Sequence, residues 1–291
     1  MNQWIIRLFF CLLLVSGLAS AADCDNPKPL RIAQVPQINR DMMLAQYQPL
    51  YQHLEMLLKR KVEVVQASSY TAVVEGLIDG TVDVAELGPA AYAQAKKRGA
   101  DIVAFAAFSG QRGTLFDLSK GYRAILVARS ERNIDKLEKL KGATISLVDP
   151  ASTSGALYPR FMIQQQTGMP LERYFGRISF AGSHDRALEA VKLGLTDAAF
   201  IANTKFDTAV TSGKLAPNEL SIVWQSELIP MDPFVYRKKL CRSVTEPVVS
   251  AFLGDQTPLR PMLEMMKRPD GFMAVSDDNY KKIRELYDAV P

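Results

Sequence analysis

Short apolar runs alternate with helix-patterned stretches along nearly the whole chain, and this alternation narrows the fold more than any other feature. Runs at 30–35, 62–66, 82–87, 101–108 and 123–128 read as strands, and 143–148, 177–181, 197–201 and 220–225 continue the series. Between them apolar residues recur three and four apart, as at Leu50, Leu54, Leu57 and Leu58 or at Leu188, Val191 and Leu195. Strands separated by helices predict an α/β protein with mostly parallel sheets. After 243 the pattern reads as wholly helical, with Pro247, Pro258 and Pro269 punctuating short helices. The 291 residues, 48% hydrophobic and 23% charged, supply core enough for one large domain or two lobes.

One pattern occurs twice. Tyr70 opens a helix that ends at Gly80 and leads to Asp83 and a strand; His184 opens another that ends at Gly194 and leads to Asp197 and a strand. Tyr70 and Asp83 stand 13 positions apart, as do His184 and Asp197, and each glycine stands three residues before its aspartate. A glycine stops such a helix, and an aspartate holds the turn that follows. The repetition predicts two lobes on a related plan, each presenting a helix start, Tyr70 or His184, at an equivalent place.

Near the start of the sequence Arg7 precedes an apolar run from Leu8 to Leu18 and the small residues Ala19-Ser20-Ala21, the layout of a secretory signal peptide cleaved after Ala21. The run is shorter than the roughly 20 residues a spanning helix needs. Loss of 1–21 removes Arg7 alone among charged residues and takes the net charge from +4 to +3. That mild excess, with no long Lys/Arg run, argues against a nucleic-acid partner. Two histidines and three cysteines in the whole chain cannot build a four-ligand zinc site, and no cofactor motif is present. Cys24 and Cys241, which remain after cleavage, either form a disulfide in an oxidising compartment or stay as free thiols.

The segment Asp149-Pro150-Ala151-Ser152-Thr153-Ser154-Gly155 follows a strand and leads into an amphipathic helix. The first N–H groups of a helix lack partners and carry the positive end of its dipole, so hydroxyls there complete an anion cradle without a fixed charge. One Ser or Thr suffices for capping; three successive hydroxyls exceed that need. His184, in Gly182-Ser183-His184-Asp185, can donate to the same anion whether neutral or charged.

These segments, with Gly88-Pro89-Ala90-Ala91-Tyr92, Gly121-Tyr122 and Ile229-Pro230-Met231-Asp232-Pro233, stand in an order that resembles the phosphonate, phosphite and phosphate solute-binding proteins of ABC importers, over about 30–253. The resemblance implies a two-lobed type II periplasmic-binding-protein fold, hinge-linked, with ligand in the interlobe cleft. It implies residues 22–121 and 222–291 in one lobe and 122–221 in the other, location in the periplasm, no catalysis, and a membrane permease as partner. Ser152, Thr153, Ser154 and His184 are then expected to hold the oxyanion from the second lobe and Tyr70 from the first. Tyr122 is expected beside them at the crossover, and Asp232 matches a position that contacts an amine in aminophosphonate-binding members. Those members carry a further acid where this chain has Asn203-Thr204-Lys205, which turns the expectation toward an amine-free ligand: alkylphosphonate, phosphite or phosphate. Glu86, where members often carry an apolar or aromatic residue, reads as a surface or interlobe carboxylate, with a place in the cleft as the alternative. Trp224, Tyr236 and the methionine-rich tail read as packing of the first lobe. A sensor feeding a membrane kinase or chemoreceptor would use the same fold. A secreted hydrolase built on Ser154 and His184 is disfavoured, because no Gly-x-Ser-x-Gly or Ser-x-x-Lys motif occurs.

Overall fold

The computed structural model describes residues 24–290, so the leader expected over 1–21 lies outside the described residues. The strands are β1 (Leu30–Gln34), β2 (Val62–Val65), β3 (Val84–Glu86), β4 (Ile102–Phe108), β5 (Ala124–Arg129) and β6 (Thr144–Leu147). They continue as β7 (Arg177–Phe180), β8 (Ala198–Ala202), β9 (Leu220–Gln225), β10 (Pro233–Arg237) and β11 (Phe272–Ala274). Two sheets result, one ordered β11-β4-β10-β3-β1-β2 and the other β7-β6-β8-β5-β9.

The helices are α1 (Arg40–Leu58), α2 (Tyr70–Asp79), α3 (Pro89–Lys97), α4 (Tyr158–Thr167) and α5 (Leu171–Tyr174). After these come α6 (His184–Lys192), α7 (Asn203–Thr211), α8 (Arg242–Leu253), α9 (Arg260–Met265) and α10 (Lys281–Ala289). None is long and apolar enough to cross a membrane. Leu50, Leu54 and Leu58 of α1 face one core cluster with Phe234 and Phe252, and each fully buried leucine contributes about 1.5–3 kcal/mol. Leu126, Ile145, Leu147 and Phe200 centre the core of the second sheet.

Four expectations need correction. The sheets are mixed, not mostly parallel: β1–β2, β1–β3, β6–β7 and β6–β8 run parallel, but β10 is antiparallel to β3 and β4, and β5 to β8 and β9. The chain crosses between sheets before β5 and again before β10, and each crossing delivers a strand in the reverse direction. The tail is not wholly helical, because β11 pairs with β4. Trp224 lies on β9 and packs edge-on to Phe200, 6.2 Å between ring centroids, in the second sheet and not the first. Since β9 runs to Gln225, the chain leaves that sheet after 225 and not at 222.

The repeated pattern is a real structural duplication. Ser69 and Ser183 cap α2 and α6 in the same way, accepting from the N–H of Ala72 and Arg186. Gly80 and Gly194 adopt the left-handed conformation after each helix, φ 74° and 72°. Asp83 accepts from the N–H of Arg31 in β1, and Asp197 from the N–H of Thr144 in β6. Each aspartate therefore ties its strand to the parallel neighbour.

The two crossings run beside one another. Tyr122 and Ile229 exchange backbone bonds, N–H to O at 3.0 and 2.7 Å, in a one-residue antiparallel bridge between the sheets. Cys24 and Cys241 are bonded, with Cα atoms 4.9 Å apart, and close a loop spanning 217 positions. The chain-entropy model gives such a loop about 5 kcal/mol of stabilisation.

Candidate ligand-binding site between the sheets

A cavity of about 70 Å³ lies between the two sheets, far smaller than the roughly 300–1,000 Å³ pockets that hold drug-sized ligands. Tyr70, Tyr122, Ser152, Thr153, Ser154, His184 and Asp232, all singled out in the sequence, line it. They come from 70 to 232 in the chain and meet because both helix starts and both crossings converge there.

The second-sheet wall begins where Asp149 turns the chain after β6. Ser152 caps a π-type turn, Thr153–Leu157, that runs into α4, and its Oγ accepts from Gly155 N–H at 3.1 Å. Thr153 Oγ accepts from Ala90 N–H of α3 at 2.9 Å, a bond between the two halves. With one oxygen lone pair of each hydroxyl held by backbone, its hydrogen remains able to donate elsewhere. Ser154, 1% exposed, makes no side-chain hydrogen bond among the described residues and faces the cavity. The first N–H groups of the turn add their own uncompensated donors. Gly155 serves packing: a Cβ there would meet Val148 Cγ2 at 2.4 Å, so its bareness lets the turn pack on the end of β6.

His184 Nδ1 accepts from Ala202 N–H at 3.1 Å. Burial, and then the nearby Lys205 charge, pull its pKa down to about 3. The ring is therefore neutral, and the tautomer that suits this bond carries hydrogen on Nε2, leaving a neutral donor for the cavity. From the first sheet, Tyr70 brings a buried hydroxyl with no partner among the described residues, an open hydrogen-bonding group at the cavity wall. Asp149 Oδ2 accepts from Tyr70 N–H at 3.2 Å, a second bond between the halves.

Four charged groups also line the cavity. Asp232 accepts from Tyr122 Oη at 3.2 Å and from Gln37 Nε2 at 2.7 Å. Burial, then the Glu86 charge, push its pKa up to about 7. Glu86 is not a surface carboxylate: it is 5% exposed at the end of β3, accepts from Tyr47 Oη at 2.7 Å and Gln34 Nε2 at 3.1 Å, and lines the cavity. Burial holds its carboxyl above the usual range. Lys205 and Arg268 supply opposing cations, each with its pKa lowered by burial. Arg268 lies 4.1 Å over the Phe108 ring and donates to Gly110 O at 3.1 Å. Neither Arg268 nor Gln37 stands in any sequence motif, and only their type, a donor in a chain that handles an anion, could have flagged them.

Two mixed sheets joined by paired crossings, with a polar cavity at their facing helix starts, define a type II periplasmic binding protein. Residues 32–280 match the family model described as ABC transporter, phosphonate, periplasmic substrate-binding protein, and the chain belongs to that family. The phosphate-import protein PhnD of Mycolicibacterium smegmatis is 34% identical over 260 residues, 84% of this chain and 79% of its own length. Among solved structures, a binding protein component of an ABC phosphonate transporter from Pseudomonas aeruginosa superposes with a TM-score of 0.79 at 24% identity, covering 90% of this chain and 86% of its own. PhnD1 of Prochlorococcus marinus, solved with methylphosphonate, gives a TM-score of 0.76 at 20% identity, with 89% and 97% covered.

Proposed function

We propose that this protein captures a small phosphoryl oxyanion (an alkylphosphonate, phosphite or phosphate) in the periplasm and presents it to the permease of an ABC importer. The two sheets with their helices are, in this reading, the lobes that close on the ligand. The observation that carries it is the cavity itself, small and rimmed by donors from both halves: the Ser152–Ser154 turn, neutral His184 and Tyr70. Charge-assisted bonds from such donors satisfy a desolvated oxyanion. The Mycolicibacterium relative's name, phosphate import, and the methylphosphonate held by the Prochlorococcus protein support the same ligand class.

Lys205 and Arg268 in the cavity wall oppose a ligand amine, and Asp232 and Glu86 in the same wall attract one, so the charges of the wall do not select between ligands with and without it. Hydrolysis is disfavoured. A base for Ser154 needs a free ring nitrogen, but the His184 lone pair at Nδ1 is spent on Ala202 N–H.

Calorimetric titration with phosphite, methylphosphonate and phosphate tests the reading: at least one should bind at micromolar affinity or better. Ser154→Ala should weaken that ligand about 10- to 100-fold, the worth of one hydrogen bond to a charged group. Silence across the panel, or an unchanged affinity in the variant, overturns it.

A further inference from the structure

A second chamber of about 400 Å³ adjoins the small cavity. The two share Ile38, Gln46, Thr204, Lys205, Met266 and Arg268, so the larger space begins where the oxyanion cavity ends. Its walls also come from both halves, with Met42 of α1 and Met265 of α9 on one side and α6 and α7 on the other. Nothing in the oxyanion reading requires it. A bare phosphate or phosphite would leave it empty.

Its chemistry is uneven. Arg186, Lys192, Lys205, Lys214, Lys267 and Arg268 line the chamber against only Asp185 and Glu189, an excess of four positive charges. Of the six cations only Lys192 reaches a carboxylate among the described residues, Glu219 at 3.9 Å outside the lining. Leu188, Leu215, Met42 and Met265 give the same space apolar surface. An occupant matched to it has a short apolar stem and an anionic end.

We propose that this chamber is a second subsite that receives the organic substituent of a bound phosphonate and selects a substituent ending in an anion, as in a carboxyalkyl phosphonate. The inference rests on the oxyanion reading and extends it. The phosphonate group sits at the Ser152–Ser154 turn, and the stem passes between Lys205 and Arg268. The far anion is met by Lys214, Lys267 and Arg186. An aminoalkyl substituent would instead place its cation among six others.

Methylphosphonate, propylphosphonate, 3-phosphonopropionate and 3-aminopropylphosphonate titrated into the protein test this. 3-Phosphonopropionate should bind at least about tenfold tighter than propylphosphonate, and the aminopropyl compound weaker than either. Lys214 and Lys267 are exposed and lie outside the small cavity. The double variant Lys214→Gln/Lys267→Gln should therefore lose about tenfold for 3-phosphonopropionate while its methylphosphonate affinity stays within about twofold. Equal binding of the carboxylate and the neutral propyl compound, tighter binding of the amine, or a double variant with no selective loss overturns the subsite and leaves the oxyanion reading standing. Silence toward all four overturns the subsite; silence that extends to phosphite and phosphate overturns the oxyanion reading with it.

Discussion

Asp232 is the residue least suited to an anion site, which makes its protonation the most informative variable. Its folded-state pKa of about 7 stands above the ordinary carboxylate value because burial and Glu86 both disfavour its charge. The folded protein thus holds this proton more tightly than the unfolded chain does. The stability it contributes is full below the unfolded pKa and is lost as pH rises through about 7. Asp232→Asn should remove that slope and leave the ligand-free protein roughly 1–3 kcal/mol more stable than wild type at pH 8, with little difference at pH 4, by urea denaturation. The ratio of variant to wild-type methylphosphonate affinity should also rise between pH 5.5 and 8, since only the wild type then regains a negative charge beside the ligand. A flat ratio would sink the assignment. His184 stays neutral over this range, with its pKa near 3, and contributes nothing to the profile. The hydroxyl turn, Tyr70 and His184 were legible in the sequence because each sits at a helix start beside a strand end. Arg268, Gln37 and the cavity-facing role of Glu86 were not, because they reach the site only through tertiary packing across distant elements.

At the scale of elements, the turn between β6 and α4 bears most of the proposed recognition, and its shape depends on one missing side chain. Gly155 lies against Val148, with an added Cβ 2.4 Å from Cγ2 and 2.9 Å from the Ser152 hydroxyl that caps the turn. Neither neighbour can give way cheaply, since Val148 is fully buried at the strand end and Ser152 Oγ holds Gly155 N–H. Gly155→Ala should cost about 1–3 kcal/mol as overpacking. The expected fall in Tm, read by circular dichroism, is roughly 2–10 °C. Oxyanion affinity should fall with it, because Ser152, Thr153 and Ser154 move together; an unchanged Tm would show the turn to be slack. The strands from β1 to β9 were legible as apolar runs, and the duplicated helix, glycine and aspartate gave the two-part plan. β10 and β11 were not: Pro233 heads the first, and the second has three residues in a proline-punctuated tail. Strand direction was also hidden, because alternation reveals elements but not the crossings that reverse them.

For the whole molecule, the question is what holds the two halves together around the cavity. Asp149 accepts from Tyr70 N–H, Thr153 from Ala90 N–H, and Asp207 from the N–H groups of Thr114 and Leu115 at 2.8 and 2.6 Å. The first two seat helix starts of the first half on side chains of the second, a contact that can exist only while the cleft is shut. The Cys24–Cys241 bond lies within the first half and takes no part. On the proposed reading, closure is a two-state equilibrium in which apparent affinity scales with the closed fraction. Asp149 is outside the cavity lining, so its substitution reports on closure without removing a ligand contact. Asp149→Ala should widen the scattering radius of the ligand-free protein, lower methylphosphonate affinity roughly 5- to 50-fold through a faster off-rate, and return to the wild-type radius at saturation. Asp149 also accepts from Ala151 N–H within its own turn through its other oxygen, and the single amide oxygen of Asp149→Asn can serve only one of these two donors. That variant should therefore also weaken binding, by less than the alanine. An alanine variant that folds, binds as wild type and scatters as wild type would mean that the halves are held by packing alone.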